Sequence, residues 1–337
     1  ASFSQMQQHA NADYPVTIFY AFKQAELVTE DGQASTGWET MLNGLLDSGF
    51  QITATWPMRT EMSNKISASG GANMLASSIV LACRLRPDDA ARVTRGQFLK
   101  SLKNELPEAL RDLQRGNIAP VDLAQASIGP GMAIFSRYRE VVEADGSPMN
   151  VRSALGIINQ VLDEYLTEQE GDYDVDTRWA LAWYEQFGFD EADYGDAETL
   201  STAKNTSVGG MVDAGILKSG GGKVRLLKRD EMSPGWHPSQ DARLTVWEAT
   251  QHLIHALEQD GEEGAARLLA ALQAESGATA EAARDLAYRL YALCERKDRA
   301  DEALAYNSLI VAWPQIERLA QEMAERSATP PQGELEL

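Results

Sequence analysis

The chain has 337 residues, is 44% hydrophobic and carries a formal net charge of −20, with a pI near 4.6. That length and apolar content support a sizeable core and two or more domains. The charge excludes a protein held to nucleic acid by a blanket of positive charge, although a local basic patch is compatible with it.

Cys83 and Cys294 lie far apart in apolar stretches. Neither a disulfide nor a cysteine-rich metal site is expected from them, and a reducing, cytoplasmic setting is. No apolar run approaches the ~18 residues that a membrane span needs, so no membrane partner is expected. The opening "ASFSQMQQHANADYP" has no initiating Met and reads as the tail of a helix running into a strand, as in a fragment or processed product.

Residues 15–22, "PVTIFYAF", are β-branched and aromatic, the pattern of a buried parallel strand. In "TGWETMLNGLLDSGF" Trp38, Met41, Leu42, Leu45 and Leu46 fall on one helical face, and the Ser-Gly stop leads into an alternating strand at 51–56. A continuous Ile-Val-Leu block at 77–83 predicts a further, buried strand. The order is strand, helical crossover, parallel strand, then one more strand. About twenty polar, Gly- and Ser-rich residues separate the last two, a length that is unusual between core strands unless the loop has a task. The alternative is an idle surface loop. In an open α/β sheet ligands bind beyond the carboxyl ends of the parallel strands. That rule nominates Lys23, Trp56, Pro57, Arg59 and Glu61 as substrate-binding residues, with Asn64 and Lys65 in reach.

After Arg86 helices dominate. Residues 1–90 are therefore read as one domain and 91–170 as a helical region, with "EGDYDVD" (170–176) as an acidic linker. Residues 177–232 form two helices and a hairpin around "KSGGGK", the outline of a winged helix. "DEMSPGWHPSQD" reads as a second linker, 240–326 as a helical domain and 327–337 as a disordered tail. Lys218, Lys223, Arg225, Lys228 and Arg229 gather around the hairpin of an otherwise acidic chain. They are candidate phosphate contacts, against the alternative of an ordinary solvated hairpin.

No metal site is expected. His252 and His255 share a helix face without a third ligand. Asp172, Asp174 and Asp176 match the start of a calcium loop, but Thr177 and Trp183 stand where its glycine and closing glutamate belong. "SGGGKV" has Val224 where a phosphate loop needs Ser or Thr. No Gly-x-Ser-x-Gly elbow supports a hydrolase.

The blocks "YPVTIFYAFKQ", "GWETMLNGLLDSGFQITATWPMRTE", "LASSIVLACR", "IAPVDLAQASIGPGMAIFSRY", "DTRWALAWYEQFGF", "AETLSTAKNTSVGGMVDAGIL", "RLTVWEATQHLIHALE" and "YNSLIVAWPQIE" together resemble the C-terminal part of large prokaryotic adenine-specific DNA methyltransferases. Those enzymes carry an N-terminal conserved domain of unknown function and often lie in phage-defence loci. The resemblance implies an α/β fold at the N-terminus. There, residues 16–22, 51–56 and 77–84 would be the last three strands (fifth, sixth and antiparallel seventh) of a Rossmann-like methyltransferase sheet. A mostly α-helical region with a winged-helix-like module would follow. The family's glycine-rich S-adenosylmethionine motif and its Asp-Pro-Pro-Tyr motif are both absent from this sequence. The cofactor and the chemistry would then belong to an N-terminal part of the same enzyme, and this chain alone would be inactive. Expected partners are double-stranded DNA, that N-terminal part and other defence-system proteins. The alternative function is a non-catalytic scaffold or interaction module of a defence complex.

Overall fold

A computed structural model describes residues 2–21, 36–58 and 78–328. The chain divides into two compact units, Ala1–Thr167 and Glu168–Leu337.

The first unit opens with helix α1 (Ser2–His9), strand β1 (Val16–Ala21), helix α2 (Thr36–Asp47), strand β2 (Phe50–Met58) and strand β3 (Ser78–Leu85). Helix α2 stops where Gly49 takes φ +81°, a left-handed turn that an L side chain resists. Its apolar face is in the core, Trp38, Leu42, Leu45 and Leu46 being buried, and Trp38 packs on the Tyr20 ring. The sheet order is β1-β3-β2, with β3 antiparallel to both neighbours. β1 and β2 thus run in the same direction but do not pair. The last strand lies between them, and its Ile79–Cys83 block is buried on both faces. The expectation of a buried parallel strand at β1 needs correcting. β1 pairs only with β3 among the described residues, and Thr17 and Phe19 are exposed.

Strand β4 (Arg92–Thr94) leads into helix α3 (Arg95–Arg115), whose start is fixed by the Thr94–Gln97 capping box. Phe98, Leu102, Leu106, Leu110 and Gln114 recur every fourth residue and make its buried seam. Helix α4 (Pro120–Ser136), strand β5 (Glu140–Val142, parallel to β4) and helix α5 (Val151–Glu168) complete the unit. Helix α4 ties the stretch read as a helical region to the sheet. The Ile52 amide donates to Ser136 Oγ at 2.9 Å, which covers the β2 edge.

The Gly129-Pro130-Gly131 run of α4 explains that closeness. A Cβ at Gly129 would lie 2.8 Å from Thr55 Cβ, and one at Gly131 would lie 2.6–2.7 Å from three atoms of Ile158 on α5. Gly131→Ala gains about 1 kcal/mol in helix propensity, but overpacking against a stiff β-branched side chain costs about 1–3 kcal/mol. A net loss in urea denaturation is expected. Ile158→Ala in the same chain should remove the incompatibility and give a coupling of opposite sign. Additive effects would show that the helices do not need the glycine.

The second unit contains helix α6 (Val175–Phe187), strand β6 (Ala192–Asp193), helices α7 (Tyr194–Lys204) and α8 (Val208–Asp213), strands β7 (Leu217–Gly220) and β8 (Lys223–Leu226), and helices α9 (Val246–Arg296) and α10 (Ala300–Ala328). The small sheet has order β6-β8-β7 and is antiparallel throughout. Gly221 and Gly222, at φ +59° and +75°, form the two-residue hairpin loop that such a twist requires. Helix α9 is interrupted at Gly261 and Ser276 and packs along α10. The α6 core includes stacked Trp179 and Trp183, 5.0 Å apart.

Neither acidic nor proline-rich linker behaves as one. Asp174 caps α6 by accepting from the Thr177 amide (2.8 Å) and also accepts from the Val246 amide (3.0 Å). Asp176 is buried and holds Arg243 through two bonds of 2.6 and 2.9 Å. In the second stretch Met232 and Pro238 are buried, and Trp236 stacks on His252 at 4.2 Å. These residues are fastened because their side chains supply caps and ion pairs that sequence composition alone hides. The tail from residue 329 lies outside the described residues, while α10 runs to Ala328. Among the described residues no helix is long and apolar enough to cross a membrane, and no group of three His, Cys, Asp or Glu side chains could hold a metal ion.

Candidate functional site

In the first unit the carboxyl ends of β1 and β2 and the start of β3 lie at one end of the sheet. Val80 faces Phe19 on one side and Trp56 on the other. Directly opposed residues share a face, so these three form one row, and Met58 sits on the same face one row further along β2. Phe19 is 71% exposed, Trp56 54% and Met58 42%. The opposite face carries Tyr20 against α2 and Thr55 against α4. Trp56 is thus an accessible aromatic at the sheet end, and Pro57 holds the next register position, opposite Ile79. Lys23, Arg59, Glu61, Asn64 and Lys65 lie outside the described residues, so their proximity to Trp56 is not placed.

In the second unit the hairpin gathers the predicted basic residues, but with partners the sequence did not reveal. Lys223 pairs with Asp193 at 2.6 Å. Arg225 forms a two-pronged pair with Glu231 (2.5 Å on each prong) and lies 3.8 Å from Glu191. The hydrogen bond from Arg225 holds the Glu231 carboxyl down to about 2. Lys218 Nζ is 3.9 Å from the same Glu231. Lys228 is exposed.

Arg229 requires a correction. Its side chain is held in the fold with only 12% exposed, bonded to Glu302 and to Gln251 Oε1 (3.0 Å), with its guanidinium 5.3 Å from the centre of the Tyr306 ring. Burial opposes its charge, but Tyr306, Glu302 and Glu258 outweigh that, so it stays charged. The phosphate-contact set therefore contracts to Lys218, Lys223, Lys228 and a pre-engaged Arg225. The acidic neighbours Glu191, Asp193 and Glu231 leave little net field for a phosphate backbone.

A cavity of about 480 Å³ lies between α6, α9 and α10, lined by Tyr184, Arg229, His255, Glu258, Arg299 and Glu302. Two of its cations, Arg229 and Arg299, are already engaged, and exposed Lys228 lines it as well. Arg299 donates to the Tyr184 carbonyl, sits over the Tyr184 ring at 4.9 Å, and fills the space beside Gly188. Sequence reasoning also missed a second cavity beside α8, built around Trp236, Asp241 and Glu248. The only signal for it was an acid on the first turn of α9, which by itself reads as an ordinary cap: the Glu248 amide does bond to Thr245 Oγ1 at 3.2 Å.

Residues 174–335 match a family model described as a domain of unknown function, DUF8807, a match that runs unbroken across the α6–β8 module and the α9–α10 helices. No curated protein and no solved structure matches the chain.

Proposed function

We propose that this chain is the C-terminal portion of an S-adenosylmethionine-dependent DNA adenine N6-methyltransferase. The observation that carries the reading is the first unit's sheet. Two strands of one direction enclose a third that runs antiparallel, the direction the resemblance implies for it, and one edge is covered by α4. At the other edge β1 has no second strand among the described residues, and Phe19 and Trp56 on one face are exposed. Doubly wound sheets are covered on both faces, so this geometry suits a sheet continued by other residues. Those residues would hold the cofactor, because neither the glycine-rich nor the Asp-Pro-Pro-Tyr motif occurs in this sequence. No chemical step is assigned to the side chains present. Their part would be to form the outer wall of the pocket receiving a flipped adenine, with Trp56 as its aromatic surface.

Transfer of a labelled methyl group to duplex DNA tests this. The chain alone should show no transfer. The chain co-expressed with the coding segment immediately upstream should methylate adenine at N6, and Trp56→Ala should reduce that rate by at least about tenfold, the loss of one stacking contact. An active chain by itself, or an upstream segment without a methyltransferase motif, would end the proposal.

A second reading, docking to a protein partner, is favoured for the α6–β8 module by one observation: the hairpin's arginines and Lys223 already have acidic partners. Duplex affinity measured against salt separates the two. DNA contact predicts a steep loss with salt that is diminished by Lys218→Ala, Lys223→Ala and Lys228→Ala together. Protein docking predicts no binding even at low salt.

A further inference from the structure

The cavity between α6, α9 and α10 is lined by charged groups that the fold holds in place without using them up. A guanidinium carries five N–H donors. Arg299 donates through Nη1 to the Tyr184 carbonyl and lies over the Tyr184 ring, while its Nε and Nη2 make no hydrogen bond among the described residues. Gly188, at φ +64°, admits it, because a Cβ there would sit 3.2 Å from the Arg299 Cζ. Arg229 is fixed in a similar way by Gln251, Glu302 and the Tyr306 ring. Its Nη1 is 3.9 Å from Glu258, too far for a hydrogen bond. Both cations are therefore pre-positioned, and each keeps donors to spare.

The lining is of mixed sign. With the Arg229–Glu302 pair set aside, Arg299 and Lys228 stand against Asp190, Asp230 and Glu258. Lys228 and the three acids are exposed, so their side chains can turn toward a guest. The rest of the wall is aromatic. Phe187 and Phe189, on either side of Gly188, rest on Trp183 (4.5 Å) and Tyr184 (5.2 Å). The volume, about 480 Å³, falls in the roughly 300–1,000 Å³ range of small-molecule sites. An anion by itself would be opposed by the acids, and a cation by the arginines and Lys228. A wholly apolar molecule would leave all of these charges unanswered.

We propose that this cavity binds a small zwitterion, a free α-amino acid with a large apolar side chain. The carboxylate would take the spare donors of Arg299, joined by Arg229 Nη1 and Lys228. The ammonium would face Glu258 and Asp230, and the side chain would lie on Phe187 and Phe189. Only a free amino acid carries both charges on one carbon, whereas each end of a peptide carries one. All of these residues belong to the second unit, so the site is independent of the methylation reading.

The test is calorimetric titration of the full chain with L-phenylalanine at neutral pH, where saturable binding is expected. N-acetyl-L-phenylalanine lacks the ammonium and L-phenylalaninamide lacks the carboxylate, and each should bind at least about tenfold more weakly. Arg299→Gln, with folding verified by its urea midpoint, should weaken L-phenylalanine by a similar factor. Glu258→Gln and Lys228→Ala change exposed positions where folding is not at stake. Each should weaken L-phenylalanine about two- to fivefold, the worth of one exposed charge contact. Glu258→Gln should leave N-acetyl-L-phenylalanine unaffected, and Lys228→Ala should leave L-phenylalaninamide unaffected. Absence of saturation, equal affinity for either one-charge analogue, or unchanged affinity of the Glu258→Gln chain for L-phenylalanine would each overturn the assignment.

Discussion

Arg229→Ala will cost about 2–3 kcal/mol of stability, the loss expected for the charge-assisted hydrogen bonds of a partly buried ion pair. The side chain of Arg229 is 12% exposed and that of Glu302 28%. Deleting the guanidinium leaves Glu302 without its bonded counter-charge, takes the donor from Gln251 Oε1 and uncovers the Tyr306 ring. Gln251 and Tyr306 are fully buried and bonded to one another at 3.2 Å, so they cannot turn to water for replacement. Arg229→Lys should recover only part of the loss, because an ammonium cannot reach the carboxylate and the amide with one fork. Lys223→Ala, whose pair with Asp193 is exposed, should change stability by less than about 0.5 kcal/mol. A double-mutant cycle of Arg229 with Glu302→Gln in chemical denaturation measures the coupling. A coupling near zero would return Arg229 to the surface and to the list of DNA contacts. The distinction matters, because an unfolded Arg229→Ala chain would also fail to bind DNA and would be misread as a lost contact.

How far the sequence carries is visible in particular residues. Strand identity in the first unit is written in local pattern: alternation at β2, an unbroken apolar block at β3, a helix period with its glycine stop at α2. Strand order is not written there. It depends on where the chain returns after residue 58, and pairing between β3 and two strands that precede it is a long-range choice no local pattern encodes. The glycine hairpin was legible because two positive-φ residues between strands have few other uses. The roles of its basic residues were not, because Arg225 finds its partner six residues on and Arg229 finds Glu302 seventy-three residues on. Charge clustering in one dimension overstates charge on the surface when acids from other segments fold against it. The same effect hid the tasks of Asp174 and Asp176, which look like linker acids until α9 and Arg243 are brought against them.

Glu248 shows the opposite failure, an unremarkable helix residue made unusual by burial, and it yields the last expectation. Its carboxyl is raised to about 9 when folded, chiefly by burial, against an ordinary value near 4.5. The folded state therefore holds a proton that the unfolded state releases above about pH 4.5. Stability from this group is fully present below that pH and declines as pH rises through about 9. At pH 7 the loss amounts to about 3 kcal/mol at roughly 1.4 kcal/mol per unit. His252, held down to about 4 first by burial and then by His255, acts in the other direction. It stays neutral when folded, so its contribution is present above about pH 6.5 and is lost as pH falls through 4. Glu248→Gln replaces a neutral acid with a neutral amide that can still donate to Asp241. The variant should unfold at higher urea than the parent from pH 7 upward, by an amount that grows with pH, and the alkaline decline should flatten. His252→Phe keeps the stack on Trp236 and should flatten the acid limb instead. Parallel curves for parent and Glu248→Gln between pH 5 and pH 8.5 would mean that Glu248 is ionised in the folded chain and does not share a proton with Asp241.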